Sequence, residues 1–266
     1  MVDEIYIDGE PATVASLSEA AFNNYAAFTS MQVEGGGVRG LYLHIRRLKD
    51  SALELFGAAP SETRLRDRMR AAIDGRQERL SLRVQLFLPS ISYRRAFPKG
   101  EPRVLVRVSE PMPPLRGALR LQVQDYARET PLLKHTATYG LMRAARTAQQ
   151  AGFDDALFVG SDDLVSEGSI WNIGFIEDQR VVWPKAPKLA GVGQALIERG
   201  LEMVGLDSET RPITRADIAG FDAAFVCNSS TPACAVQSIN DHEMGDHPDL
   251  IDRLQAARAT NPREAI

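Results

Sequence analysis

Three prolines fall within the nine-residue segment SEPMPPLRG, residues 109–117. Proline lacks an amide hydrogen and has a fixed φ, so neither a helix nor an inner strand continues through such a segment. The segment therefore predicts a break between two domains. We place a small N-terminal domain over residues 1–113, a linker over 114–118 and a larger domain over 119–266.

Patterns of strands and helices occur on both sides of this break. The stretch YAAFTSMQVEGGGVRGLYLHI, residues 25–45, is typical of two strands joined by a glycine turn. In HIRRLKDSALELFG the apolar residues recur at helical spacing, and Gly57 is a natural stop. A second helix is predicted after Ser61 or Thr63, and PDLIDRLQAARA predicts a closing helix over residues 248–259. Strands in hairpins with interspersed helices predict an α+β fold in two domains.

Composition excludes several classes of function. The net charge of −4 provides no basic field for nucleic acid. No apolar run reaches the roughly 20 residues that a membrane-spanning helix needs. The acidic start MVDEIYIDGE lacks the apolar segment of a secretion signal, and the two cysteines, Cys227 and Cys234, are too few for a disulfide framework. We therefore expect a cytoplasmic protein without a nucleic-acid or membrane partner.

Two short motifs have simpler explanations than binding. Gly35, Gly37 and Gly40 match the dinucleotide pattern G-x-G-x-x-G, but that pattern requires a helix to start at the glycines. Because VRGLYL continues with strand-forming residues, we expect a hairpin turn. His242 and His247 lie five residues apart in DHEMGDH, which is not the spacing of a metalloprotease helix, so we expect a solvated loop and no metal.

The lysines attract more interest because the chain has only five of them. Lys134 follows Leu132 and Leu133 at the start of an amphipathic helical pattern. A desolvated lysine loses its proton and becomes a nucleophile, which arginine does not do. Taken alone, such a lysine is more often one whose stem covers apolar surface. We expect the other four to be solvated: Lys49, Lys99, Lys185 and Lys188.

The residues around Lys134 come in a recognisable order. HIRRL precedes it, Tyr139 follows it by five residues, and Glu167 in EGS is followed by Asn172. From IYIDG to CAVQSIND the chain resembles the class IV pyridoxal-phosphate aminotransferases, which have fold type IV. That family includes branched-chain and D-amino-acid aminotransferases, (R)-selective amine transaminases and aminodeoxychorismate lyase. The resemblance implies a two-domain fold type IV protein with pyridoxal 5'-phosphate as cofactor.

The resemblance also implies roles for individual residues. Lys134 matches the lysine that forms a Schiff base with the cofactor and then moves the substrate proton. Glu167 matches the carboxylate that pairs with the pyridine nitrogen, where a negative charge favours the protonated ring. Asn172 matches a residue that supports this strand, and Tyr139 matches a tyrosine against the ring's 3-oxygen.

Other residues match the groups that bind the cofactor's phosphate. Arg47 of HIRRL corresponds to the family's arginine, whose planar fork suits an anion. Val192 and Gly193 correspond to a helix start that offers backbone amides, and Ser229 corresponds to the hydroxyl of a second phosphate loop. The family's sequence Gly-Ile-Thr-Arg is Gly-Val-Gly-Gln here, so Gly193 replaces the threonine and Gln194 the arginine.

For the substrate the resemblance implies contacts from Thr29, Gln32 and Ser230, with Gln32 in place of an arginine. The predicted reaction transfers an amino group between an amino acid or amine and a 2-oxo acid. Two alternatives stay open: aminodeoxychorismate lyase, which forms 4-aminobenzoate and pyruvate, and a non-catalytic member of the family. The family's assembly implies a homodimer.

Overall fold

The computed structural model describes residues 3–97 and 99–266, so Met1, Val2 and Pro98 lie outside the described residues. The chain divides into two compact units. The first change of unit falls between Met112 and Pro113, inside the proline-rich segment. Two further segments, Leu133–Ala137 and Pro262–Ile266, also belong to unit 1, and a single predicted boundary does not include them.

Unit 1 contains an antiparallel sheet that is covered by helices. Over the described residues the sheet has five strands in the order β2-β1-β6-β5-β3, and a short strand over Arg263–Ala265 pairs with β4 outside it. The strands are β1 (Glu4–Ile7), β2 (Glu10–Pro11), β3 (Ala26–Val33), β4 (Gly37–Arg39), β5 (Leu80–Phe87) and β6 (Arg103–Ser109), and the helices are α1 (Val14–Ala21), α2 (Leu41–Phe56) and α3 (Glu62–Ile73).

Side-chain alternation gives this sheet two different faces. In β5 the even-numbered residues from Leu80 to Leu86 are buried, whereas Ser81, Arg83 and Gln85 are only partly buried. The buried face joins α2 and α3 in one apolar core, as the strand period of two requires. On the other face, Ile7, Ala26, Phe87 and Leu105 form an apolar cluster with α1, and the polar residues Ser81, Arg83 and Gln85 also lie on this face.

The beginnings of the helices explain where the predictions succeeded and failed. Gly57 ends α2 with φ of 68°, as predicted, and of the two predicted capping residues, Ser61 and Thr63, it is Ser61 that caps α3 through its side chain. The predicted strand VRGLYL is wrong: β4 ends at Arg39 and α2 begins at Leu41. Gly40 makes this possible because it adopts φ of 68°, a left-handed conformation that glycine accepts easily. Helix α1, which Thr13 caps, was not predicted.

Unit 2 is built around a larger mixed sheet. In the described part of the chain the sheet has nine strands, in the order β12-β11-β10-β13-β14-β7-β8-β9 with β15 paired to β14. The strands are β7 (Leu119–Asp125), β8 (Asp155–Val159), β9 (Val165–Gly168), β10 (Asn172–Glu177), β11 (Arg180–Pro184), β12 (Ser208–Arg211), β13 (Ala223–Cys227), β14 (Cys234–Ile239) and β15 (His242–Glu243). The helices are α4 (Tyr139–Gln150), α5 (Val192–Gly200) and α6 (Pro248–Ala259).

Helices α5 and α6 are in direct backbone contact. A Cβ atom on Gly200 would lie 1.9 Å from the carbonyl oxygen of Ala257, so only glycine fits there. The Asn261 side chain also donates to the carbonyl oxygen of Leu196, at 2.8 Å. These contacts fix the last turn of α6 against α5. The observed range of α6 is the one that the sequence predicted.

Residues 3–97 and 99–266 contain neither a membrane-spanning helix nor a cluster of metal-binding side chains. No helix there has both the length and the apolar character to span a membrane. No group of three or more His, Cys, Asp and Glu side chains in the same residues is placed to hold a metal ion.

Candidate functional site

In unit 1, Lys134 lies on a segment that extends the sheet beside β3. The amide of Phe28 donates to the carbonyl oxygen of Lys134 at 2.8 Å, and Thr136 donates to the carbonyl oxygen of Ala26 at 2.9 Å. The Lys134 side chain is half-buried, and its Nζ lies 4.9 Å from the centroid of the Phe28 ring. Backbone pairing and the ring together fix where the amine points.

Arg47 belongs to a buried polar cluster between α2 and β3. Its Nη2 donates to the Thr29 Oγ1 at 3.0 Å. The same oxygen lies 2.7 Å from Nδ1 of His44, one helical turn before Arg47. Since the guanidinium can only donate, the Thr29 hydroxyl accepts from Arg47, and the same hydroxyl forms a hydrogen bond with His44. The cluster therefore sets the direction of the Arg47 side chain.

Thr29 is 1% exposed, on the face of β3 that packs against α2. This placement favours a role in orienting Arg47 over the substrate contact implied by the resemblance. Gln32 lies on the opposite face, where its Nε2 donates to Ser81 Oγ at 2.7 Å. Contact of either residue with a substrate stays a prediction.

The face of the unit 1 sheet that bears Gln32 also contains a partly desolvated cation, Arg83, directly across from Ser30. The Arg83 guanidinium carbon lies 3.8 Å from the centroid of the Phe28 ring. Burial, and secondarily the positive charge of Arg107, lower the pKa of Arg83 from its usual value. A guanidinium stacked on an aromatic ring is a suitable partner for a carboxylate.

In unit 2, Glu167 and Asn172 face each other directly across the β9–β10 hairpin, which explains their spacing of five residues. Glu167 is 5% exposed. Its Oε1 accepts from the Leu189 amide at 3.1 Å and lies 3.5 Å from Nη1 of Arg128. Asn172 Nδ2 donates to the Leu189 carbonyl oxygen at 3.0 Å. A buried carboxylate therefore has a fixed position, and a buried guanidinium stabilises its charge.

The first turn of α5 has the shape that the resemblance implies, although its side chains differ. Gly191 is the N-cap residue of α5, and no side chain caps the helix there. The backbone amides of Val192 and Gly193 in the first turn therefore have no capping side chain. A Cβ atom on Gly191 would lie 1.8 Å from Asn172 Oδ1. A Cβ atom on Gly193 would lie 2.7 Å from the Asn228 carbonyl oxygen, so this glycine allows the backbone of a second loop to approach.

That second loop is a tight turn over residues 228–231. Asn228 Oδ1 accepts hydrogen bonds from the amides of Ser230 and Thr231 and from the Ser230 hydroxyl, at 2.8–3.0 Å. The Asn228 amide donates to the Thr231 carbonyl oxygen at 2.9 Å. Thus Ser230 takes part in the turn itself, and Ser229 lies at its tip.

Two further residues of unit 2, Tyr139 and Lys188, differ in their exposure to solvent. Tyr139 is the first residue of α4 and is 77% exposed, and its contact with the cofactor ring stays a prediction. Lys188 is not the solvated lysine that we expected: it is half-buried, and its Nζ donates to the Pro184 carbonyl oxygen. Burial lowers the pKa of Lys188, so this lysine has a partly desolvated amine.

Sequence reasoning missed the residues that orient the predicted ones. Arg128 was not among the predicted site residues, whereas the structure pairs it with Glu167. His44 had a detectable signal, because it lies three residues before Arg47 on one helix face. Asn228 was overlooked, although an asparagine followed by serines is typical of such turns.

Comparison with known proteins identifies a family for this arrangement. Residues 26–239 match the family model described as amino-transferase class IV. A probable branched-chain-amino-acid aminotransferase from Rickettsia bellii is 24% identical over 257 residues, which cover 91% of this chain and 88% of the relative.

Solved structures show the same fold. The branched-chain amino acid aminotransferase from Escherichia coli superposes with a TM-score of 0.84 at 18% identity, covering 96% of this chain and 92% of that one. A hypothetical aminotransferase from Mycobacterium tuberculosis, in a PLP-bound form, gives 0.78 at 20% identity, covering 97% and 99%. The predicted fold type IV, with mixed α+β structure, is confirmed.

Proposed function

The chain belongs to the amino-transferase class IV family, and from this premise we propose that it is a pyridoxal-phosphate-dependent aminotransferase. It transfers an amino group between an amino acid or amine and a 2-oxo acid. One observation carries the proposal: Glu167, at the position the resemblance gives to the ring's partner, is a carboxylate only 5% exposed. Burying a carboxylate is costly, and such groups are typical of functional sites.

The residues present fit the cofactor. In unit 2 the glycines at 191 and 193 leave a start of α5 that side-chain atoms would fill, next to the turn at Ser229. Backbone amides at the start of a helix are suitable donors to a phosphate. In unit 1, Arg47 is held by Thr29, and Lys134 supplies an amine. We assign Arg47, Val192, Gly193 and Ser229 to the phosphate.

Each remaining residue has a defined task. The bound cofactor supplies an electron sink that stabilises the negative charge left when a substrate loses its α-proton. Lys134 holds the cofactor and moves that proton with its amine. Glu167 keeps a negative charge beside the pyridine nitrogen and so favours its protonated form. Asn172 fixes the backbone at Leu189 whose amide donates to Glu167.

We propose that the site binds the carboxylate group of an amino-acid donor or of the 2-oxo acid. Arg83 provides a partly desolvated cation on the same face of the unit 1 sheet as the predicted substrate residue Gln32, directly across from Ser30. A panel of L- and D-amino acids, (R)-amines and aminodeoxychorismate separates the two catalytic possibilities. Transfer of the amino group to a 2-oxo acid supports the aminotransferase. Release of pyruvate with 4-aminobenzoate, and no amino transfer from any donor, would establish the lyase instead.

Lys134 is tested against Lys188, because Lys188 is the lysine whose pKa is lowered by burial. We expect the wild-type protein and Lys188→Met to absorb visible light with the cofactor and to become labelled on Lys134 after borohydride reduction. Lys134→Met should lose the label, as mass spectrometry of the digested protein would show. Labelling of Lys188 in the wild type would mean that the attachment point is misassigned.

We also propose the family's homodimer and a cytoplasmic location. Light scattering on the purified protein would measure the mass, and a strictly monomeric yet active protein would contradict the dimer. Imaging of a tagged chain would test the location.

A further inference from the structure

The turn over residues 228–231 is fixed from two directions. Its backbone lies against Gly193 in the first turn of α5. On the other side, Nη2 of Arg258 donates to the Ser229 carbonyl oxygen at 2.8 Å. Arg258 lies in the last turn of α6 and is half-buried. A hydrogen bond from a guanidinium is stronger than one between neutral groups.

Ser229 keeps two hydrogen-bond donors that the turn does not use. Over the described residues, the carbonyl oxygen of Ser229 is its one hydrogen-bonded atom, and its amide and hydroxyl donate to no protein group. Arg258 and Asn228 hold the peptide unit between Ser229 and Ser230 from both sides, because its carbonyl oxygen accepts from Arg258 and its amide donates to Asn228 Oδ1. Donors at the tip of a turn beside a helix start are suited to an anion.

The position of Arg258 is rigid. The contact between Gly200 and Ala257 holds α6 on α5 immediately before Arg258, and Asn261 donates across to α5 three residues later. The guanidinium also lies near Cys227, the residue before the turn, where its charge partly offsets the strong effect of burial that raises the pKa of Cys227 to about 12.

We propose that Arg258 is a positioning residue for the cofactor's phosphate, acting by holding the Ser229 turn against the start of α5. The inference rests on the proposed function. Gln194, which the resemblance places where the family has an arginine, carries no charge and donates to Glu198 at 2.9 Å within α5. The positive charge next to the turn comes from Arg258, on α6.

The experiment compares pyridoxal 5'-phosphate with pyridoxal, which lacks the phosphate. The dissociation constants of both are measured by fluorescence titration of the full-length protein freed of cofactor. We expect Arg258→Met to weaken pyridoxal-phosphate binding by about tenfold, the size of one charge-assisted hydrogen bond, and to leave pyridoxal binding unchanged. Arg258→Lys keeps a charged donor and should restore part of the loss.

Arg253→Met is the matched control, since Arg253 also lies on α6 and donates to backbone carbonyl oxygens, those of Val204 and Gly205. It should lower the melting temperature without changing the ratio of the two affinities. An unchanged ratio in Arg258→Met, or the same change of ratio in Arg253→Met, would overturn the inference alone. A wild-type protein that binds neither compound would instead overturn the proposed function.

Discussion

Two regions of the chain are predicted to bind the same phosphate, and they are built differently. In unit 1 a side chain, Arg47, is oriented by the side chains of Thr29 and His44. In unit 2 the backbone at Val192 and Gly193 lies against the backbone at Asn228. The resemblance implies that the first region keeps the family's arginine at Arg47, whereas the second has Gly193 and Gln194 in place of a threonine and an arginine.

Sites made of side chains and sites made of backbone amides tolerate different substitutions. A site made of side chains disappears when one of them changes. A site made of backbone amides keeps its donors when side chains change, provided that the close approach of the two segments is preserved. Gly193 is then required by its neighbour, and its lack of a hydroxyl is not simply a loss.

The largest effect is expected from restoring the family's residue. In Gly193→Thr the added Cβ atom would meet the Asn228 backbone at 2.7 Å, which only a shift of the main chain can relieve. We expect the free energy of unfolding to fall by about 1–3 kcal/mol. Pyridoxal-phosphate binding should weaken as the two segments separate. Denaturant unfolding and a binding titration measure the two effects.

Gly220→Thr is the control, because a Cβ atom there has no heavy atom within 4 Å. Its free energy of unfolding should change by no more than about 0.5 kcal/mol. Tighter cofactor binding in Gly193→Thr at unchanged stability would show that the backbone approach does not define this region.

Arg47→Met removes the side chain that is proposed to bind the phosphate in unit 1. Hydrogen bonds to charged groups contribute about 1.5–3 kcal/mol, so we expect binding of pyridoxal 5'-phosphate to weaken roughly ten- to a hundredfold. Binding of pyridoxal should be unaffected. The exposed neighbour Arg46, replaced in the same way, is the control. Equal losses in Arg46→Met and Arg47→Met would point to general charge and not to a specific contact.

The smallest effect is expected from Thr29→Val, which removes the hydroxyl between Arg47 and His44 and keeps the shape. The free energy of unfolding should fall by about 1 kcal/mol, the usual contribution of one hydrogen bond. Cofactor affinity should fall less than in Arg47→Met. Ser30→Ala, on the opposite face of β3, is the comparison. If Thr29→Val weakened only substrate binding, Thr29 would contact the substrate directly.

Local signals in the sequence anticipated much of the fold. The helix over residues 248–259, the cap at Ser61 and the stop at Gly57 follow from periodicity and from residues with strong backbone preferences. The start of α2 was missed because Gly40 permits a sharp change of direction that strand-forming neighbours conceal. Lys188 was misjudged because no sequence pattern indicated that its Nζ would donate to the Pro184 carbonyl oxygen or be partly buried.

The family and a change of unit inside the proline-rich segment could both be inferred from the sequence, because prolines act locally and spaced motifs keep their order along the chain. The residues that orient the predicted site residues became apparent only in the tertiary structure. Arg128 is 39 residues from Glu167, and Arg258 is 29 residues from Ser229. Such pairs form because folding brings distant segments into van der Waals contact, and no local pattern records which side chain then reaches a given carbonyl or carboxylate.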